Sequence, residues 1–157
     1  MALSLIVNAQ NQTNMTINQE APVIQSKEII INAPQEKVWE VLTKIEDWPN
    51  WYTKITDTKI NDKPDEGASF TWKTNGSKIK SKIHTYEPNK TLGWSGKAFG
   101  VKAIHNWYLE PTSNGTKVMV NESMEGWIIA LMKKKMNNIL AEDMTYWLDQ
   151  LKIESEK

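Results

Sequence analysis

The polarity of this chain changes period near residue 126. From Lys54 to Glu125 apolar and charged side chains alternate, and after Gly126 the apolar ones recur every three or four residues. Alternation is what a strand with one wet face requires, and the longer period belongs to an amphipathic helix. Turn signals divide the alternating region into strands over 54–60, 67–74, 77–86, 90–98, 101–110 and 117–125. Asn75-Gly76 is the strongest of these signals, because two residues that tolerate positive φ favour a tight hairpin. Ile128, Met132, Met136, Ile139, Leu140, Trp147, Leu148 and Leu151 then make one apolar stripe, predicting a long helix. Ahead of the strands, the apolar run Ile29–Ile31 ends at Asn32, and Pro34 stands where a helix can begin without losing a needed N–H. Val38, Val41, Leu42 and Ile45 follow at helical spacing, and the helix stops before Pro49, which Trp48 and Trp51 flank in a tight corner. The predicted order is strand, two short helical pieces, six strands and a long helix. Such an antiparallel meander buries one face against a helix, an α+β arrangement.

Parity identifies the buried face. Ile79 and Ile83 interleave with Lys78, Lys80 and Lys82; Ala103, His105, Trp107 and Leu109 interleave with Lys102 and Glu110; Val118, Val120, Glu122 and Met124 interleave with Lys117 and Glu125. Phe70, Trp72, Leu92 and Trp94 belong to the same inner set. Short turns fix pairing. A two-residue turn at Asn75-Gly76 pairs Trp72 with Ile79, and a four-residue loop over 87–90 pairs Trp94 with Ile83. A two-residue turn at Phe99-Gly100 pairs Trp94 with His105, and the loop over 112–115 pairs His105 with Glu122. One inner row is therefore expected across four strands: Ile83, Trp94, His105, Glu122.

That row carries the candidate chemistry. His105 and Glu122 are the ionisable side chains placed on the inner face of the central strands, close enough when directly opposed to share a hydrogen bond. Such a pair either fixes strand register as a satisfied buried contact or supplies general acid/base catalysis on a carbonyl compound. His84 falls on the charged parity and is expected at the surface. Trp48 and Trp51 are expected to close one end of the core. Phe99, at a hairpin tip, is either a pocket-entrance residue or a scattered surface apolar.

Composition narrows the classes. The 157 residues fit one domain, and 39% hydrophobic with 24% charged residues is ordinary for a globular chain. Formal net charge is zero, giving no footprint for nucleic acid or an anionic surface, and Lys133-Lys134-Lys135 reads as a solvated helix face. The absence of cysteine excludes disulfides, thiol catalysis and thiolate metal sites, and two histidines exclude a multi-histidine metal centre. No nucleophile elbow or phosphate-cradling glycine loop occurs. No cofactor is expected. Eight tryptophans against two phenylalanines are the outlier. Residues 1–26 read as a disordered tail or the remnant of an export signal, and 27–157 as one domain. Ala2 to Ala9 lacks a basic start and has too short an apolar core for a standard signal peptide, so the cytoplasm is the default location and export the alternative. No apolar stretch reaches transmembrane length.

Ala33-Pro34 with Val38-Trp39, Trp48-Pro49-x-Trp51, Gly67-Ala68-x-Phe70-x-Trp72, His105-x-Trp107-x-Leu109-Glu110-Pro111, Gly115-Thr116-x-Val118 and Leu148-Asp149-x-Leu151-Lys152 occur in one order. Over about residues 27 to 154 the chain resembles the START-like (SRPBCC) superfamily, particularly its polyketide cyclase/dehydrase branch. The resemblance implies the helix-grip fold: a curved seven-stranded antiparallel sheet gripping a long C-terminal helix, two short helices after strand 1, and a hydrophobic cavity between sheet and helix. The iron-binding members need two inner histidines and a carboxylate, and His105 alone qualifies here. The reading is a binding protein for a small hydrophobic molecule (lipid, polyketide or aromatic), walled by Trp72, Ile83, Trp94, Trp107, Val120, Met124, Met132 and Met136. His105 and Glu122 would orient one polar group. The alternative is a cyclase/dehydrase-type enzyme with His105 as acid/base and Glu122 holding its tautomer. An interaction module would need an exposed apolar patch, which the lysine-rich outer strand face does not offer.

Overall fold

The computed structural model describes residues 15–157. Its elements are β1 (Val23–Ile31), α1 (Gln35–Thr43), a single 3-10 turn (Ile45–Asp47), α2 (Trp48–Trp51), β2 (Ile55–Ile60), β3 (Ser69–Thr74), β4 (Ser77–Glu87), β5 (Thr91–Ala98), β6 (Val101–Thr112), β7 (Gly115–Glu125), α3 (Trp127–Leu131) and α4 (Lys133–Ser155). All seven strands form one antiparallel sheet in the order β1-β7-β6-β5-β4-β3-β2. The first strand thus closes one edge while α1 and α2 carry the chain to the other. This is the helix-grip arrangement, with α4 lying on the inner face of the sheet.

The expected row forms. Ile83 pairs with Trp94, Trp94 with His105, and His105 with Glu122, and Gln25 extends the row onto β1. The β6–β7 pairing keeps its expected register with a two-residue turn at Ser113-Asn114 in place of a four-residue loop, since Thr112 pairs with Gly115. The β4–β5 pairing is reached by a different route. The β4–β5 loop spans three residues, since Glu87 pairs with Thr91, and a β-bulge at His84 restores the register before Ile83. Asn89 takes positive φ in that loop, as a three-residue hairpin connection requires. The bulge leaves His84 half-buried rather than out in solvent, with Nδ1 2.9 Å from Thr85 Oγ1. On the neighbouring strand Gly93 leaves room for it: a Cβ there would stand 2.6 Å from His84 Cε1 and 2.4 Å from Asn106 Oδ1.

The domain boundary at residue 26 is corrected. β1 starts at Val23, which is fully buried, and Ala21 is buried as well. The backbone N–H of Asn18 donates to Ser123 Oγ (3.0 Å) and Asn106 Nδ2 donates to the carbonyl of Met15 (3.1 Å), fastening the preceding segment to β6 and β7. Of the span 1–26 read as a tail or export remnant, residues 1–14 lie outside the described residues.

Two local features set the ends of the core. Pro34 precedes α1, and its carbonyl accepts from the N–H groups of Lys37 (3.0 Å) and Val38 (3.2 Å). At the tryptophan corner, Trp48 is fully buried and its indole N–H donates to Leu42 O (2.9 Å), bonding the end of α1 to α2. The long apolar stripe forms two helices rather than one. The chain breaks at Met132 (φ −107°, ψ 24°), so α3 lies over the end of the sheet while α4 runs along it. Among the described residues, no helix is long and apolar enough to cross a membrane.

Candidate functional site

Inward parity on β3, β5, β6 and β7 and the apolar stripe of α3 and α4 converge on a cavity of about 470 Å³, within the usual range for small-molecule sites. Trp72, Trp94, His105, Glu122, Met124, Met132 and Met136 all line it. Ile83, Trp107 and Val120 do not; each is fully buried in the solid part of the core. For Trp107 the reason is visible. The ring of Trp147, 5.4 Å from it edge to face, stands in front. Parity fixes which way a side chain points, whereas depth depends on what the helix lays across it.

His105 is buried and its imidazole stacks on Trp94, with ring centroids 4.5 Å apart and planes 10° from parallel. Its Nδ1 is hydrogen-bonded to a carboxylate oxygen of Glu122, which is itself mostly buried. A carboxylate only accepts, so a ring proton sits on Nδ1; in the neutral imidazole Nε2 is then an acceptor. That Nε2 is buried and, like the indole nitrogens of Trp107 and Trp147, has no hydrogen-bond partner among the described residues. Orphaned buried polar atoms are rare because each costs about 1–3 kcal/mol of lost hydration.

Tyr52, Asp143 and Trp147 are among the lining residues that the sequence reading does not place on the cavity wall. Trp147 is the centre of the aromatic cluster. Its ring stacks on Tyr52 (4.9 Å, 9°) and lies 5.3 Å from Trp48, 5.4 Å from His105 and 5.9 Å from Trp72. Burial, and then the negative charge of Asp143, push the Tyr52 hydroxyl well above its ordinary range, so it stays protonated and can donate. Asp143 is tied to Lys54 at 2.6 Å. A sequence signal existed for it. Asp143 falls between Ile139 and Trp147 at four-residue spacing, a carboxylate set into the apolar stripe of a helix. Among the described residues, no group of three His, Asp or Glu side chains comes together as a metal site.

A seven-stranded antiparallel sheet, a long C-terminal helix gripped by it and a hollow between them define the START-like helix-grip class. The family model described as polyketide cyclase / dehydrase and lipid transport matches residues 23–156, and the chain belongs to that family. Similar solved structures include a hypothetical protein of Helicobacter pylori, with 20% identity over 99% of this chain and 98% of that one and a TM-score of 0.79. The ZhuI aromatase/cyclase of a Streptomyces species is 14% identical over 85% of this chain and 93% of that one, with a TM-score of 0.72. A Thermus thermophilus protein is 15% identical over 84% and 96%, at 0.71. At these identities the likeness is one of fold. None of the curated proteins matches the chain in sequence.

Proposed function

We propose that the protein binds a small hydrophobic molecule in this cavity and that His105 meets the one polar group of that ligand. The observation that carries the reading is the unpartnered Nε2 of His105, held by Glu122 on the wall of a largely apolar hollow. Indole rings and methionines supply adaptable apolar contact, and a single polar anchor supplies orientation. A ligand hydroxyl or acidic group donating to Nε2 would satisfy an atom that no group among the described residues pairs with. The family's description, which covers both cyclases and lipid transport, is compatible with such a ligand being a lipid, a polyketide or an aromatic compound.

Two observations favour turnover of cyclase/dehydrase type as a second reading. Glu122 fixes the tautomer that leaves Nε2 basic, and the protonated Tyr52 hydroxyl lines the same cavity. In that reading Nε2 takes a proton from carbon beside a ketone and returns it to a departing hydroxyl, with net loss of water.

Native mass spectrometry of protein purified from its own host tests the binding reading, with a retained small molecule of defined mass as the expected result. His105→Ala and Glu122→Ala separate the two readings. In a binder they change which ligands are retained; in an enzyme they abolish turnover. If both variants lose thermal stability alone and the retained molecule is unchanged, the pair has only a structural part.

A further inference from the structure

The mouth of the cavity is apolar on the outside as well as within. Phe99 is 84% exposed, Trp127 74% and Leu131 77%, all large side chains in the most costly position for a free monomer. They belong to one rim. Phe99 and Ile128 line the cavity opening, and Gly126, beside Trp127, lies so close to the β5–β6 turn that a Cβ on it would be 2.8 Å from the Gly100 carbonyl. Cations flank this rim. Lys133, Lys134 and Lys135 follow α3 directly, and Lys97 and Lys102 pair across the β5–β6 hairpin that carries Phe99. All five are exposed and none forms an ion pair among the described residues. The zero net charge of the chain hides this local concentration.

We propose that the rim formed by Phe99, Trp127 and Leu131 with Lys133–Lys135 docks onto an anionic lipid bilayer and sets the cavity mouth at headgroup depth. Tryptophan and leucine beside lysine is the composition of an interfacial contact: apolar groups enter the headgroup boundary while ammonium groups stay with the phosphates. Charge separates this occupant from the others. A second copy meeting the same face about a two-fold axis would bring lysine clusters together. Residues 1–14 of this chain are apolar in part but contain no carboxylate to answer the lysines. The proposal concerns the outer surface and does not depend on what the interior holds.

The test is co-sedimentation of the full chain with vesicles of phosphatidylcholine and phosphatidylglycerol in equal parts, against phosphatidylcholine alone. Binding is expected to the mixed vesicles, to fall with added salt, and to weaken about a hundredfold in K133A/K134A/K135A, given roughly tenfold or less per lysine near such a surface. The triple arginine variant should bind as the natural chain does, and Trp127→Ala should bind weakly. Melting temperature and binding of the dye anilinonaphthalene sulfonate in the cavity are read in parallel, so that loss of fold or interior is told apart from loss of docking. Equal binding to both vesicle types, no binding to either, or binding that survives both variants overturns the proposal. So does a dimer that Trp127→Ala dissociates in the absence of vesicle binding.

Discussion

At His105 the consequences of satisfaction and of vacancy part company. Its Nδ1 is answered by Glu122 and its Nε2 by no group among the described residues. Removing only the carboxylate leaves a second buried nitrogen unpaired, so Glu122→Met is expected to cost about 1–3 kcal/mol in urea denaturation. Removing both groups leaves no orphan, so H105L/E122M should recover most of that loss while its discrimination between ligands with and without a polar group disappears. An equal loss in the single and double variants would show that the pair has no such coupling. His84 makes a different prediction. Burial holds its pKa below the ordinary 6.5, with the Trp94 backbone opposing more weakly. As pH falls below 6.5 the unfolded chain takes up the proton first, so the stability owed to neutral His84 is lost on acidification until the folded pKa is passed. His84→Gln should flatten the dependence of the denaturation midpoint between about pH 6.5 and pH 5 relative to the natural chain. The pairing of His105 with Glu122 is legible from turn position and parity, because no bulge interrupts the register between β6 and β7. The burial of His84 is not, because a bulge is invisible to alternation.

Strand pairing and helix continuity differ in how much the chain reveals of them. Between β4 and β5 the loop is one residue shorter than expected and His84 is one residue extra, so the two departures cancel and Ile83 still faces Trp94. Burial of the inner face enforces that outcome, since a slip of one position would turn Trp94 and His105 toward solvent. The helix stripe gives no such protection. Ile128 to Leu151 reads as one period, yet the chain breaks at Met132, and α3 turns Ile128, Ile129 and Met132 toward the cavity while leaving Trp127 and Leu131 outside. The entry to α3 is held by Gly126 (φ 141°) against Gly100, backbone to backbone. Gly126→Ala must therefore displace the short helix from the β5–β6 turn. We expect a loss of about 1–3 kcal/mol and faster amide exchange across residues 127–132, with α4 unaffected. Unchanged exchange there would mean that the close approach does not hold α3.

The interior as a body is part solid and part hollow. Trp48, Trp94, Trp107 and Trp147 fill the tryptophan-corner end, and the space of about 470 Å³ lies toward α3 and the β5–β6 turn. The sequence showed the inner set and the architecture, since order and parity are local properties. It did not show how the set divides between packing and wall, which depends on where α4 rests: Ile83, Trp107 and Val120 are packing, whereas Tyr52, Asp143 and Trp147 are wall. Ala103 lines the hollow opposite Met124 on the adjacent strand. Ala103→Phe should occupy that space without disturbing the tryptophan cluster, so that the dye anilinonaphthalene sulfonate no longer binds while the melting temperature stays within a few degrees of the natural chain. Continued dye binding would place the site elsewhere.

The crowding of indoles around Trp147 makes the chain its own spectroscopic instrument. Rings separated by 5.3 to 6.0 Å at fixed, unequal angles couple their electronic transitions, so their near-ultraviolet circular dichroism belongs to the group rather than to any one of them. A guest that nudges Trp72 or Trp94 alters the whole band, and occupancy can be followed optically without a label.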